Sequence, residues 1–221
     1  MALDYHAFLS QFPDTYIGRG RTDRREIALT FDDGPGLATS ALLAILREYD
    51  VQATFFCLGE KARGVPDMVR AIARDGHEVG NHGFTHRDVR ALDPETFWMT
   101  EVLPARSLLE DVAGTPVALF RPPFGEISPA QTARLAEEGV TLVGWSIDPR
   151  DWDEVEAKDH AGRVVRDVLE QVHPGAIVLL HDGDEGERAR PAIVEIVRHV
   201  VLALRAMGFS FVTAGRLWEA R

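Results

Sequence analysis

Short apolar runs alternate with longer amphipathic stretches along most of this chain. The runs fall at 26–32, 53–58, 77–81, 117–121, 141–147, 176–181 and 209–213. They favour β-branched and aromatic residues and are bounded by Gly, Pro or Asp, as buried strands are. Between them, Ala38–Tyr49, Pro66–Arg74, Pro94–Val112, Pro129–Glu138, Lys158–Val172 and Arg190–Met207 place apolar residues three and four apart. That spacing predicts helices with one buried face. Pro66, Pro94, Pro129 and Pro191 stand near the predicted helix starts, where a missing N–H does no harm. Gly76, Gly139 and Gly208 fall just after helix ends, as left-handed caps. Seven strands alternating with helices imply a parallel sheet with right-handed crossovers. An open doubly wound sheet and a closed barrel both satisfy this string, and periodicity does not choose between them.

Composition narrows the class of partner. The 221 residues suit one domain, with an N-terminal segment over 1–25 and the alternating pattern over 26–221. A formal net charge of −11 excludes the basic footprint that nucleic acid or an anionic membrane surface would need. No stretch approaches the roughly 18 apolar residues of a membrane span, and no protein partner is expected. The start of the chain lacks a basic segment followed by an apolar one, so as written it carries no export signal and is expected in the cytoplasm. Removal of a leader would instead place it outside the cell or in the wall. Cys57, the single cysteine, is expected to be a small buried hydrophobe.

Chemistry-bearing residues collect at one end of the predicted strands. Asp32 and Asp33 end the first, His82 and His86 follow the third, and Arg121 ends the fourth. Asp148 and Asp151 follow the fifth, and His181 with Asp182 closes the sixth. In a parallel α/β fold those carboxyl ends converge on one face, where active sites form. His82 and His86 are four apart, and a helical turn there would project both rings to one side. With a carboxylate they would make a facial set with open positions, suited to Zn²⁺ or a neighbouring first-row metal. Adjacent strand residues point oppositely, so Asp32 and Asp33 are expected to have different tasks, one ligating and one acting as base. A turn-forming Asp before Gly-Pro explains one of them but not both.

Arg121, ending a buried strand, needs a carboxylate, and Asp32 is the natural partner; the pairing would favour its ionised form. The Pro122-Pro123-Phe124-Gly125 turn is stiff enough to present a backbone N–H to an oxyanion, although a structural ion pair under a rigid turn fits these residues equally. His181 is either a satisfied strand-end histidine or a general acid, oriented by Asp151 or Asp148. Trp152 would line a sugar groove or pack on the core. His6, His77, His160, His173 and His199 lie away from this set and are expected at the surface or at helix caps. The charged run 184–190 reads as a solvated loop, close enough to His181 to rim a cleft.

Taken together, these residues resemble the polysaccharide deacetylase family, the NodB-homology carbohydrate esterases of family 4. Thr30-Phe31-Asp32-Asp33-Gly34-Pro35, His82-Gly83-Phe84-Thr85-His86, Arg121-Pro122-Pro123-Phe124-Gly125, Asp148-Pro149-Arg150-Asp151-Trp152 and Leu179-Leu180-His181-Asp182 are similar to its five motifs, in its order. The resemblance covers about residues 26–215. It implies a distorted (β/α)7-type barrel with the active site at the carboxyl ends of its parallel strands. It also implies a metal held by Asp33, His82 and His86, Zn²⁺ first, with Co²⁺, Ni²⁺ or Mn²⁺ as alternatives. Asp32 would be the base, Arg121 its orienter, His181 the acid and Asp151 its tuner. The Phe124 N–H would hold the oxyanion, and Trp152 and Leu180 would form the acetyl-methyl pocket. The implied substrate is an acetylated carbohydrate, peptidoglycan- or chitin-like, deacetylated at nitrogen. The alternatives are a small non-polymeric amide or formamide, an O-acetyl ester of the xylan type, and an inactive carbohydrate-binding module, which the intact acid, base and metal positions disfavour.

Overall fold

The computed structural model describes residues 5–153, 159–183 and 192–220. Its strands are β1 (Tyr16–Ile17), β2 (Glu26–Gly34), β3 (Thr54–Cys57), β4 (Glu78–Asn81), β5 (Leu119–Phe120), β6 (Thr141–Val143), β7 (Ile177–His181) and β8 (Ser210–Phe211). The eight-stranded sheet is ordered β1-β6-β5-β4-β3-β2-β7, with β8 beside β2, and every pairing is parallel. It curls on itself and meets again at a bridge from Ile147 to Val178. The result is a single-domain distorted barrel, and the choice between open sheet and barrel falls to the barrel.

Strand alternation sorts the core into an outer and an inner layer. Ile27, Leu29 and Phe31 of β2 join Val178 and Leu180 of β7 in the layer beneath the surrounding helices. Ala28 of β2 and Ile177 of β7 instead meet Phe56, Leu119 and Val143 in a separate inner cluster. Period-two geometry continues this inner face upward, so Thr30 and Asp32 follow Ala28 into the barrel.

The structure departs from the pattern at several places. The N-terminal segment is part of the barrel's packing: β1 pairs with β6, and Phe8 packs against Tyr16 with ring centres 5.7 Å apart. The helix expected over Pro94–Val112 is broken into Pro94–Phe97, a π turn over Trp98–Val102, and Leu103–Ala113. Pro104, second in the last piece, has no N–H for the carbonyl four residues back, and its ring crowds that carbonyl, so the ladder shifts register. His77, expected near the surface, is buried against Phe55 and accepts a hydrogen bond from the Ala53 N–H. Cys57 is buried, as expected. The last two expected helices run His160–Gln171 and Ala192–Ala206, and a further short one follows at Ala214–Glu219; the expected start at Lys158, the start at Arg190 and the charged run 184–190 lie outside the described residues. Among the described residues, no helix is long and apolar enough to cross a membrane.

Candidate active site

A cleft of about 740 Å³ opens at the carboxyl ends of the strands. It gathers Asp32, Asp33, His82, His86, Phe124, Asp148, Trp152 and His181 from separate parts of the chain. Arg121 and Asp151 lie behind it, buried, each bonded to one of these residues.

Asp32 and Asp33 reach the same cleft, which simple alternation forbids. Asp33 has φ 68°, and the β2–β3 register slips between Asp32 and Gly34. This left-handed residue turns the second carboxylate back toward the first, so the expectation of opposite directions is corrected by a local bulge. The tasks still separate, because the surroundings differ.

Asp32 faces Arg121. The guanidinium donates to Asp32 Oδ1 at 2.8 Å, Thr30 Oγ1 at 2.7 Å and the Val143 and Gly144 carbonyls at 3.2 and 2.9 Å. Its carbon lies 4.2 Å from the Phe56 ring centre. Burial draws the guanidinium's pKa down and Asp32 opposes that pull. Removing one partner of such a buried pair strands the other charge, at a cost of about 3–5 kcal/mol.

Asp33 Oδ1 lies 3.2 Å from His82 Nε2 and 3.0 Å from His86 Nε2. His82 Nδ1 sits 2.7 Å from the Arg121 carbonyl oxygen, which can only accept, so Nδ1 carries the proton. In the neutral ring Nε2 then presents a lone pair to Asp33. Asp33 Oδ1 is buried with no hydrogen-bond donor among the described residues. Lone pairs that face each other at this distance are held together by positive charge between them, a shared proton or a metal ion. The ligand atoms of Asp33, His82 and His86 all lie within 4.8 Å of one another, and a carboxylate with two imidazoles is a borderline donor set that suits Zn²⁺ and its neighbours. Burial pushes the Asp33 carboxyl up, but the two imidazoles outweigh it and hold it well below the ordinary carboxylate range.

The segment carrying the imidazoles is not helical, contrary to expectation. Residues 82–88 form a loop in which Gly83 has φ 87° and His86 φ 59°. Left-handed residues, not a helical turn, bring the rings to 5.3 Å.

On β7, beside β2, His181 stands in register with Asp32, and Asp151 accepts from the His181 backbone N–H at 2.8 Å and from its ring Nδ1 at 2.7 Å. Asp151, not Asp148, therefore orients the imidazole and leaves Nε2 toward the cleft. Asp148 instead caps its own loop through the Arg150 N–H. Burial lowers the His181 pKa, but Asp151, with Asp32 and Asp33 behind it, overrides this and raises it to about 9. Asp182, next in sequence, is fully buried and bonded to Thr39; burial pushes its carboxyl up to about 7.

The apolar lining departs from expectation at one position. Leu180 packs in the outer core, while Leu179, which shares a strand face with His181, lines the cleft. Phe124 has φ 60°, and its ring lies 4.7 Å from that of His86. Trp152 is 41% exposed at the cleft edge. Phe84 and Trp145 also line it and were not anticipated, since each reads as ordinary apolar content. Arg163 was missed as well. From helix His160–Gln171 it donates to the carbonyls of Pro149, Arg150 and Asp153, latching the loop that carries Asp151 and Trp152, and nothing in the sequence links it to that loop.

An Asp-His-His cluster flanked by a carboxylate–arginine pair and a histidine–carboxylate pair defines a metal-assisted hydrolase site. The family model described as polysaccharide deacetylase matches residues 19–143. The chain is 32% identical over 205 residues to a peptidoglycan-N-acetylglucosamine deacetylase of Bacillus cereus, covering 92% of this chain and 72% of that one. It is 37% identical over 197 residues to a chitooligosaccharide deacetylase of Bradyrhizobium sp., covering 84% and 87%. Among solved structures, the Bc1960 peptidoglycan N-acetylglucosamine deacetylase in complex with 4-naphthalen-1-yl-N-oxidanyl-benzamide superposes with a TM-score of 0.88 at 31% identity, covering 96% of this chain and 97% of that one. The chain belongs to the polysaccharide deacetylase family.

Proposed function

We propose that this enzyme hydrolyses the N-acetyl group of an amino sugar within a peptidoglycan- or chitin-like oligo- or polysaccharide, releasing acetate and a free amine. The observation carrying this reading is a single cleft that gathers Asp33, His82 and His86 with both Asp32 and His181. The deacetylase relatives support the substrate class, and so does the open cleft edged by Phe84, Phe124, Trp145 and Trp152. Aromatic faces of this kind suit sugar rings better than a small polar amide.

Asp33, His82 and His86 would hold a divalent cation, Zn²⁺ first, which when bound supplies Lewis-acid polarisation of the acetyl carbonyl and of water. Asp32, kept in place by Arg121, takes a proton from the attacking water through the oxygen not engaged by the guanidinium. Phe124, in its left-handed turn, offers a backbone N–H to the developing oxyanion. His181 delivers a proton from Nε2 to the departing sugar nitrogen while Asp151 retains Nδ1–H. Leu179 and Trp152 enclose the acetyl methyl and exclude water from it. The amide C–N bond breaks, a C–O bond forms from water, and the two proton transfers balance the products.

Acetate release from N-acetylated chito-oligosaccharides and peptidoglycan fragments tests the assignment. Release should be abolished by chelation and restored by Zn²⁺. Turnover of formamides, cyclic amides or acetylated xylan with no acetate from either amino sugar would overturn it.

A further inference from the structure

Glu101 lies in the π turn over Trp98–Val102 and is 1% exposed. Its Oε2 accepts the backbone N–H groups of Phe84 and Thr85 at 2.9 and 3.0 Å. Its Oε1 accepts the Thr85 hydroxyl at 2.9 Å and forms an ion pair with Arg87 Nε at 3.0 Å. A carboxylate offers about four acceptor positions, and every donor recorded on this one belongs to residues 84–87, the segment that runs from between the two imidazoles to just past His86. Asn81 adds a second tie, accepting the Gly83 N–H at 2.8 Å and donating to the Val102 carbonyl at 2.9 Å.

The loop cannot hold its own shape. It lacks a helical ladder, and a non-glycine residue such as His86 in the left-handed region costs about 1 kcal/mol or more and persists only where its surroundings enforce it. We infer that Glu101 is a positioning residue for the metal centre: by gathering the Phe84 and Thr85 amides it fixes the separation and aim of His82 and His86. The inference rests on the reading that Asp33, His82 and His86 bind the metal. Glu101 does not touch the cation. It acts through the loop, and the π turn imposed at Pro104 is what seats it beneath that loop.

The test is the Zn²⁺ affinity of chelator-stripped protein, measured by competition with a chromophoric chelator at a temperature where circular dichroism shows each variant folded. Glu101→Gln keeps the shape but turns an N–H₂ toward donors, and its Zn²⁺ dissociation constant should rise about tenfold or more. A role in stability alone would lower the melting temperature of the metal-free protein and leave affinity unchanged. His82→Ala in the same series should abolish binding. Affinity of Glu101→Gln within twofold of wild type, with His82→Ala non-binding, overturns the inference and leaves the metal site standing. Unimpaired binding by His82→Ala removes the metal reading and the inference with it. Should Glu101→Gln not fold, Thr85→Val decides: a weakening of about threefold supports the inference, and unchanged affinity overturns it.

Discussion

Two pairs at the cleft each join a carboxylate to a cationic side chain, but they are built differently. In one, Arg121 is fully buried and carries its charge at every working pH. It is fixed by two backbone carbonyls besides Asp32 and Thr30, so Asp32, the proposed base, sits beside a constant charge. In the other the cation is His181, whose charge depends on Asp151. One pair presents a carboxylate whose setting does not titrate, the other a proton whose retention does. The difference suits the proposed roles: a base that must stay ionised and an acid that must reload after each turnover.

The comparison breaks most sharply at the base. Asp32→Asn should lower kcat by about 10³-fold while leaving the Zn²⁺ dissociation constant within a few-fold of wild type. A paired steady-state assay and metal titration checks both, and retained activity would refute the assignment.

At the acid, Asp151→Asn should cost about 10- to 100-fold at neutral pH and also change the pH profile. His181 must be protonated to act, so activity is present below its pKa and is lost as pH rises through it. With Asp151 ionised the pKa is raised to about 9; without that charge it falls back toward the ordinary 6.5. The alkaline limb of kcat against pH should therefore move to lower pH in the variant, and an unmoved limb would separate Asp151 from the proton. A cation beside Asp33 lowers the limb in both proteins and does not change the sign of the difference.

The smallest effect isolates one pair from the other. Arg163→Ala removes the bonds to the Pro149, Arg150 and Asp153 carbonyls, so the Asp151 loop should loosen. A fall in kcat of about threefold to tenfold is expected, with Zn²⁺ affinity unchanged. Equal losses in kcat and in Zn²⁺ affinity would mean that the Asp151 loop and the metal ligands are not independent.

Much of this arrangement was legible in the chain. Strands with flanking Gly and Asp read directly, and the segregation of acids, histidines and Arg121 to strand ends pointed to the face where the cleft opens. What escaped was set by local backbone departures from the regular periods. Asp33 lies where alternation would send it outward, and only its positive φ brings it in. The imidazoles looked like a helical pair, yet the loop reaches the same juxtaposition through left-handed residues. The break at the π turn follows from Pro104, a signal present in the sequence but outweighed by the apolar spacing around it. Leu179 was recoverable, because a residue two before His181 shares its face. Arg163 and Glu101 carried no such mark, since their importance lies in loop atoms that only folding brings near them.

The most direct test of the central claim is anomalous scattering at the zinc edge from crystals equilibrated with Zn²⁺. One peak is predicted within about 2.2 Å of an Asp33 carboxylate oxygen and of the Nε2 atoms of His82 and His86. A peak elsewhere, or none at this cluster with the metal in excess, would contradict it.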